Sequence, residues 1–271
     1  MLCCYNYGQQ ERDGRTPQVI AVPKDAATLI LMRDAARSED RLEILMLRRH
    51  SNSAFLPGAY VFPGGRVETA DYAREAEGVC QGLTSRQAQS IINGASPPEK
   101  ALGFFVTAIR EAFEEAGILL AYKESQDLIA INEEEKARFS QYRKQVQKDP
   151  SSFTAMVQNE EVRLAADKLF YFAHWITPEI VPIRFDTRFF VAAAPPDQEA
   201  LYDALETTDS LWITPQEVME KRRKGELDVP FPTFCNVRGL AEFSSVEEVI
   251  ASTVGKEVPT IQPLLDMLSL G

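Results

Sequence analysis

A chain of 271 residues with 45% hydrophobic content can bury a sizeable core, as one large domain or one domain with appendages. Its net charge of −11 and isoelectric point near 4.9 argue against long nucleic acids as ligands, because those are held mainly by basic contacts to phosphate. Four cysteines (Cys3, Cys4, Cys80, Cys235) and two histidines (His50, His174) show neither zinc-type pairing nor a disulfide framework. No segment reaches the roughly 18 uninterrupted apolar residues of a membrane span. The N-terminus lacks a signal-length apolar run, and Leu268-Ser269-Leu270-Gly271 is not a peroxisomal address, so the expected location is cytoplasmic, with no membrane partner.

In chain order, Ala26 to Met32, Leu42 to Leu47 and Ala59 to Phe62 read as strands. The last of these runs into the turn Phe62-Pro63-Gly64-Gly65. The stretch from Asp71 to about Ser96 holds one helical candidate, Ser85 to Ile92. A long helix follows. Ser96-Pro97-Pro98-Glu99 reads as an N-cap serine, a proline at the first helical position and a capping-box glutamate, and Gly117 supplies the left-handed residue that ends the helix.

This helix carries Arg110-Glu111-Ala112-Phe113-Glu114-Glu115-Ala116-Gly117-Ile118. At about 100° per residue, Glu111, Glu114 and Glu115 fall within an arc of roughly 100°. Leu102, Phe105, Ala108, Ile109, Ala112, Phe113 and Ala116 recur at helical spacing on the opposite arc, which predicts one buried and one acidic face. Three clustered carboxylates repel one another unless a cation neutralises them, and an oxygen-seeking dication such as Mg²⁺ or Mn²⁺ is the natural partner. The competing reading is a solvated acidic face.

Beyond the helix, Ile118 to Ala121 reads as a strand and Glu133 to Lys148 as a charged helix. Leu169 to Ile176, Arg188 to Ala194 and Ser210 to Ile213 again read as strands. Pro215 to Lys224 reads as a helix, Pro230 and Pro232 break the chain, and Val246 to Ser252 and Ile261 to Leu268 look helical. The mixed order fits an α/β (α+β) protein.

The glycine turn and the carboxylate helix together resemble the two halves of the box of the Nudix hydrolases. Gly65 matches the first half and Arg110 to Ile118 the second. The two halves stand 45 positions apart rather than the usual 14 or so, which implies an insertion of about 31 residues inside the box. Counting forward from Gly65, the slot of the first-half glutamate holds Asp71, with Glu68 as a second substitute; counting back from Arg110 it holds Leu102. Together with Trp175-Ile176-Thr177-Pro178 and the run Arg184 to Phe190, the insertion resembles the branch of the family that includes the peroxisomal coenzyme A diphosphatase.

The resemblance implies an α/β/α sandwich with a mixed sheet over residues 18–243, a box insertion at about 71–96, a helical addition at about 123–168, and a C-terminal helical extension over 244–271. The implied activity is metal-dependent hydrolysis of a nucleoside diphosphate linked to another group. Coenzyme A or acyl-coenzyme A is preferred; ADP-ribose, dinucleotides, nucleotide sugars and a non-catalytic nucleotide-binding role are the alternatives. Glu111, Glu114, Glu115 and the carbonyl of Gly64 are the implied holders of Mg²⁺ or Mn²⁺, and Glu114 and Arg110 enter the catalytic set, Arg110 as an orienting residue. Homodimers are common in the family. Glu206 is the candidate general base, with Glu199 behind it and a solvated loop carboxylate as the rival reading for both.

Alternation puts Arg184, Asp186 and Arg188 on one face of an extended segment, either as a phosphate clamp or as a local arginine–aspartate network. Trp175 and Phe189 either stack a base or belong to the core. The insertion is either a surface elaboration or a lid beside the helix.

Overall fold

The computed structural model describes residues 20–35, 42–53, 56–92, 94–123, 127–200 and 207–263. Along the chain it forms β1 (Lys24–Asp34), β2 (Leu42–Arg49), β3 (Tyr60–Val61), β4 (Gly64–Arg66), α1 (Arg74–Gly78), α2 (Ser85–Ile91) and α3 (Pro98–Ala116). Then come β5 (Ala121–Tyr122), α4 (Glu133–Lys148), α5 (Ser152–Asn159), β6 (Arg163–Leu164), β7 (Phe170–Ile176), β8 (Phe185–Ala193) and β9 (Thr207–Ile213). α6 (Pro215–Arg223), α7 (Phe231–Leu240), α8 (Val246–Thr253) and β10 (Thr260–Ile261) complete it.

β1 is apolar on both sides, as a strand with both faces covered must be. Leu29 and Leu31 face the side that holds α3 and its additions, and Ile30 and Met32 face α6, α7 and α8. The main sheet runs β10-β7-β8-β1-β2-β3, with β4 on the first half of β1 and β9 on β2. β1 and β8 are parallel while β1 and β2 are antiparallel, so the sheet is mixed and lies between two helical layers, as expected.

Several expected boundaries move for identifiable reasons. The second proline, Pro98, takes the first helical position of α3, so Pro97 rather than Ser96 precedes the helix and Glu99 falls outside the capping-box position. Gly117 ends α3 at φ 71°, as expected. Ile118 to Leu120 is not strand, because the backbone N–H and C=O of Leu119 are taken by the Gln198 side chain, each at 2.9 Å. The prolines near 230 start α7 rather than break the chain, since proline is tolerated in a first helical turn. Ile261 is not helical: it pairs with Trp175 as part of β10, and residues 264–268 lie outside the described residues.

The largest departure concerns α3 itself. The rival reading of a solvated acidic face does not hold: the helix is enclosed nearly all round, and Thr107, Arg110 and Glu115 are among its buried residues. The box insertion causes part of this, since Ala76, Val79, Cys80, Ala88, Ile92 and Ala95 join the core around the first half of α3. Tyr72 packs so closely on Gly103 that a Cβ there would lie 2.8 Å from the tyrosine Cβ.

A polar ladder crosses the sheet on the α3 side. Lys100 of α3 pairs with Asp25 of β1, whose other oxygen takes Arg188 of β8 at 3.3 Å. Arg188 pairs with Asp186 at 2.7 Å, Asp186 with His174 of β7, and His174 Nδ1 lies 2.9 Å from the Thr260 hydroxyl of β10. Burial pushes the Asp186 carboxyl up, but the His174 hydrogen bond and the Arg188 charge outweigh it and hold it below the usual carboxylate range. A depressed carboxyl contributes stability that is fully present above its unfolded pKa and is lost as pH falls through the folded value. Asp186→Asn is therefore expected to lower Tm near neutral pH by about 3–6 °C, on the order of 1–2 kcal/mol for a half-buried pair. Thermal melts against pH should show the gap to wild type closing below about pH 4.

Candidate active site

β4 and α3 bring the two halves of the interrupted box together. Gly64 and Gly65 pair with Thr28 and Ala27 of β1, and this strand lies directly over the last turns of α3. A Cβ on Gly65 would lie 2.2 Å from a carboxylate oxygen of Glu111, and one on Gly64 would lie 2.7 Å from the Ala27 carbonyl. Gly64 therefore needs glycine because backbone lies too close, while a side chain at 65 would have to push the Glu111 carboxylate aside. The N–H of Gly64 donates to Glu115 at 3.1 Å, which ties the turn to the helix.

Arg110 is the centre of the arrangement. It is 1% exposed and Asp71 is 2% exposed. Its Nε and Nη2 donate to the two Asp71 oxygens, each at 2.9 Å, as a bidentate pair, and Nη2 also donates to the Arg66 carbonyl at 3.0 Å. Nη1 donates to Glu111 at 2.9 Å and to Glu114 at 2.5 Å. Asp71 is held in turn by the Thr107 hydroxyl at 2.8 Å and the Glu68 N–H at 2.9 Å. Of the two acidic substitutes, Asp71 occupies the partner position, while Glu68 contributes its N–H and places its carboxylate at the surface near Arg66.

The electrostatics follow from this geometry. Burial alone would make Arg110 easier to deprotonate, but Glu111, Asp71 and Glu114 reverse that and fix its charge. Burial pushes the Glu111 carboxyl up to about 7, with Glu114 and Asp71 adding to the push against the pull of Arg110. One guanidinium does not fully neutralise the cluster.

Among the described residues no three acidic, imidazole or thiolate groups are gathered into a metal-binding group. The donor set nevertheless fits a hard dication in kind. It is all oxygen, and Glu111 and Glu114 already converge on a single cationic nitrogen, beside a side-chain-free backbone segment.

The other expected residues are placed elsewhere. Arg184 spends its guanidinium on the carbonyls of Thr177 at 2.9 Å and Ala21 at 2.7 Å. Arg188 sits in the ladder with its guanidinium 4.3 Å over the Phe104 ring. Both are buried; Arg188 takes part in an arginine–aspartate network, whereas Arg184 meets backbone carbonyls and no aspartate. Trp175 and Phe189 belong to the core on the opposite side of the sheet from α3, Trp175 donating to Asn236 at 3.2 Å. Glu199 is exposed, and Glu206 lies outside the described residues.

A mixed sheet between helices, with a glycine strand laid over a carboxylate helix, defines the Nudix hydrolase fold. The NUDT19 Nudix domain family matches residues 23–240, and the chain belongs to it. Acyl-coenzyme A diphosphatase NUDT19 of Xenopus laevis is 29% identical over 236 residues, covering 76% of this chain and 62% of that protein. The Homo sapiens protein of the same name is 26% identical over 257 residues, covering 84% of this chain and 68% of its own. This chain thus spans less than two thirds of the length of the Xenopus protein. Among solved structures, a Nudix hydrolase from Alicyclobacillus acidocaldarius superposes with a TM-score of 0.67 at 23% identity, over 86% of this chain and 97% of that one, which supports the fold.

The buried Asp71–Arg110 pair makes a direct prediction. Asp71→Ala leaves a buried guanidinium without its bidentate partner and is expected to cost about 3–5 kcal/mol in urea unfolding. Gly65→Ala displaces the Glu111 carboxylate and is expected to lower activity more than stability, read as kcat against Tm.

Proposed function

We infer that the chain is a divalent-metal-dependent diphosphatase that hydrolyses the diphosphate bond of a nucleoside diphosphate linked to another group, with coenzyme A or an acyl-coenzyme A as the substrate class. The observation that carries this reading is the convergence of Glu111 and Glu114 on one cationic nitrogen, with Glu115 tied to the Gly64 N–H beside them. The Xenopus laevis and Homo sapiens relatives, named as acyl-coenzyme A diphosphatases, support the substrate class.

In this reading Glu111, Glu114, Glu115 and the carbonyl of Gly64 hold Mg²⁺ or Mn²⁺. A dication held there would supply charge to offset that on the phosphate oxygens and would lower the pKa of a water beside it. Arg110 acts through the carboxylates and not on the substrate, because its nitrogens are turned to Asp71, Arg66, Glu111 and Glu114. It orients them and offsets part of their mutual repulsion. Glu206, on the segment joining β8 to β9, is the proposed general base. A phosphate clamp is not assigned to Arg184 and Arg188, whose hydrogen bonds go to backbone carbonyls and to the ladder carboxylates.

A panel of coenzyme A, an acyl-coenzyme A, ADP-ribose, a dinucleotide and a nucleotide sugar, each with Mg²⁺ or Mn²⁺, tests the reading through product analysis. Coenzyme A is expected to yield 3′,5′-ADP and phosphopantetheine. Glu114→Gln is expected to lose at least about 100-fold in kcat, since a metal-holding group should cost no less than the partners behind it. Preferred cleavage of ADP-ribose or a dinucleotide would overturn the substrate class. Tight nucleotide binding without turnover would overturn the enzyme.

A further inference from the structure

Arg143 and Gln147 lie one turn apart on α4, outside both halves of the box, and converge on a single atom. Arg143 Nε donates to the carbonyl oxygen of Glu114 at 2.7 Å, and Gln147 Nε2 donates to the same oxygen at 3.0 Å. That carbonyl lies in the last turn of α3, where C=O groups have no partner inside the helix. The N–H groups of Gly117 and Ile118 close the turn on Phe113 and Ala112, which leaves the Glu114 carbonyl to α4. A guanidinium at this position also opposes the negative end of the helix dipole. Beneath the polar contact, the Phe113 ring meets Phe139 of α4 and Phe153 of α5 at centroid distances of 6.4 and 6.2 Å. The two donors are thus carried by an element packed on α3.

We propose that Arg143 and Gln147 are positioning residues for the carboxylate set, and that α4 is thereby a working part of the active site. The proposal rests on the reading that Glu111, Glu114 and Glu115 hold a dication. All three side chains spring from the last two turns of α3, and pinning the Glu114 carbonyl fixes the rotation of those turns. With carboxylates about 6 Å from the helix axis, a rotation of about 10° displaces them by about 1 Å. A shift of that size is enough to degrade a metal or catalytic site.

The test measures Mn²⁺ affinity without substrate, by electron paramagnetic resonance or calorimetry, together with kcat, KM and Tm, at a temperature well below every Tm. In Arg143→Gln the Mn²⁺ dissociation constant is expected to rise about tenfold, with kcat lower and KM for coenzyme A little changed. Arg143→Lys should recover part of both losses, and Gln147→Met should move them in the same direction by less. A folded Arg143→Gln with a lower Tm but wild-type Mn²⁺ affinity and kcat would overturn the proposal; if that variant does not fold, Gln147→Met decides it by the same readouts. Absence of Mn²⁺ binding by the wild type would instead overturn the metal reading itself, and the proposal with it.

Discussion

A guanidinium buried among carboxylates sets the terms for the rest of this structure. Removing Arg110 from water costs several kcal/mol unless its charge and donors are met, and Asp71, Glu111, Glu114 and the Arg66 carbonyl meet them together. Each partner constrains a different part of the chain. Asp71 fixes where the box insertion leaves the site, the Arg66 carbonyl fixes the glycine strand, and the two glutamates fix the last turns of α3. The glycine at 65 follows from the same demand, because the Glu111 carboxylate occupies the space a side chain would need.

The insertion and the helical addition are joined to each other as well as to α3. Leu164 donates to Val79 at 2.8 Å and accepts from Gln81 at 2.9 Å, a backbone exchange between the two segments. Cys80 and Leu164 form the bridge between them. α3 therefore runs between the sheet on one side and a combined layer on the other. That enclosure buries Glu115 and Arg110, which a free amphipathic helix would have left at the surface.

Much of the site was legible in the chain because it is locally encoded. The spacing of Glu111, Glu114 and Glu115 follows from one helical repeat, and counting six positions from Gly65 lands on Asp71. The α4 boundaries, Glu133 and Lys148, also emerged from pattern alone. What failed to show was decided by packing between distant segments. The Leu119 backbone is satisfied by Gln198, which no local pattern of strand residues announces. Alternation grouped Asp186 with Arg188, which do pair, but was silent on Asp25 and His174, the neighbours that draw them into a ladder across strands, and on the backbone carbonyls that take Arg184. Arg143 and Gln147 lie on a highly charged helix, where nothing in the sequence separates two capping residues from ordinary solvated ones.

The Asp71–Arg110 pair has a consequence for how this site tolerates change. The two residues find each other through a buried ion pair and not through the length of chain between them. For a flexible connection, stretching the separation of the box halves from about 14 to about 45 residues adds only ~1 kcal/mol of closure entropy. The apolar residues that the inserted helices bury offset a cost of that size. Length between the halves thus costs little closure entropy, and this stretch of the Nudix box is where the chain has lengthened while the Asp71–Arg110 pair is kept.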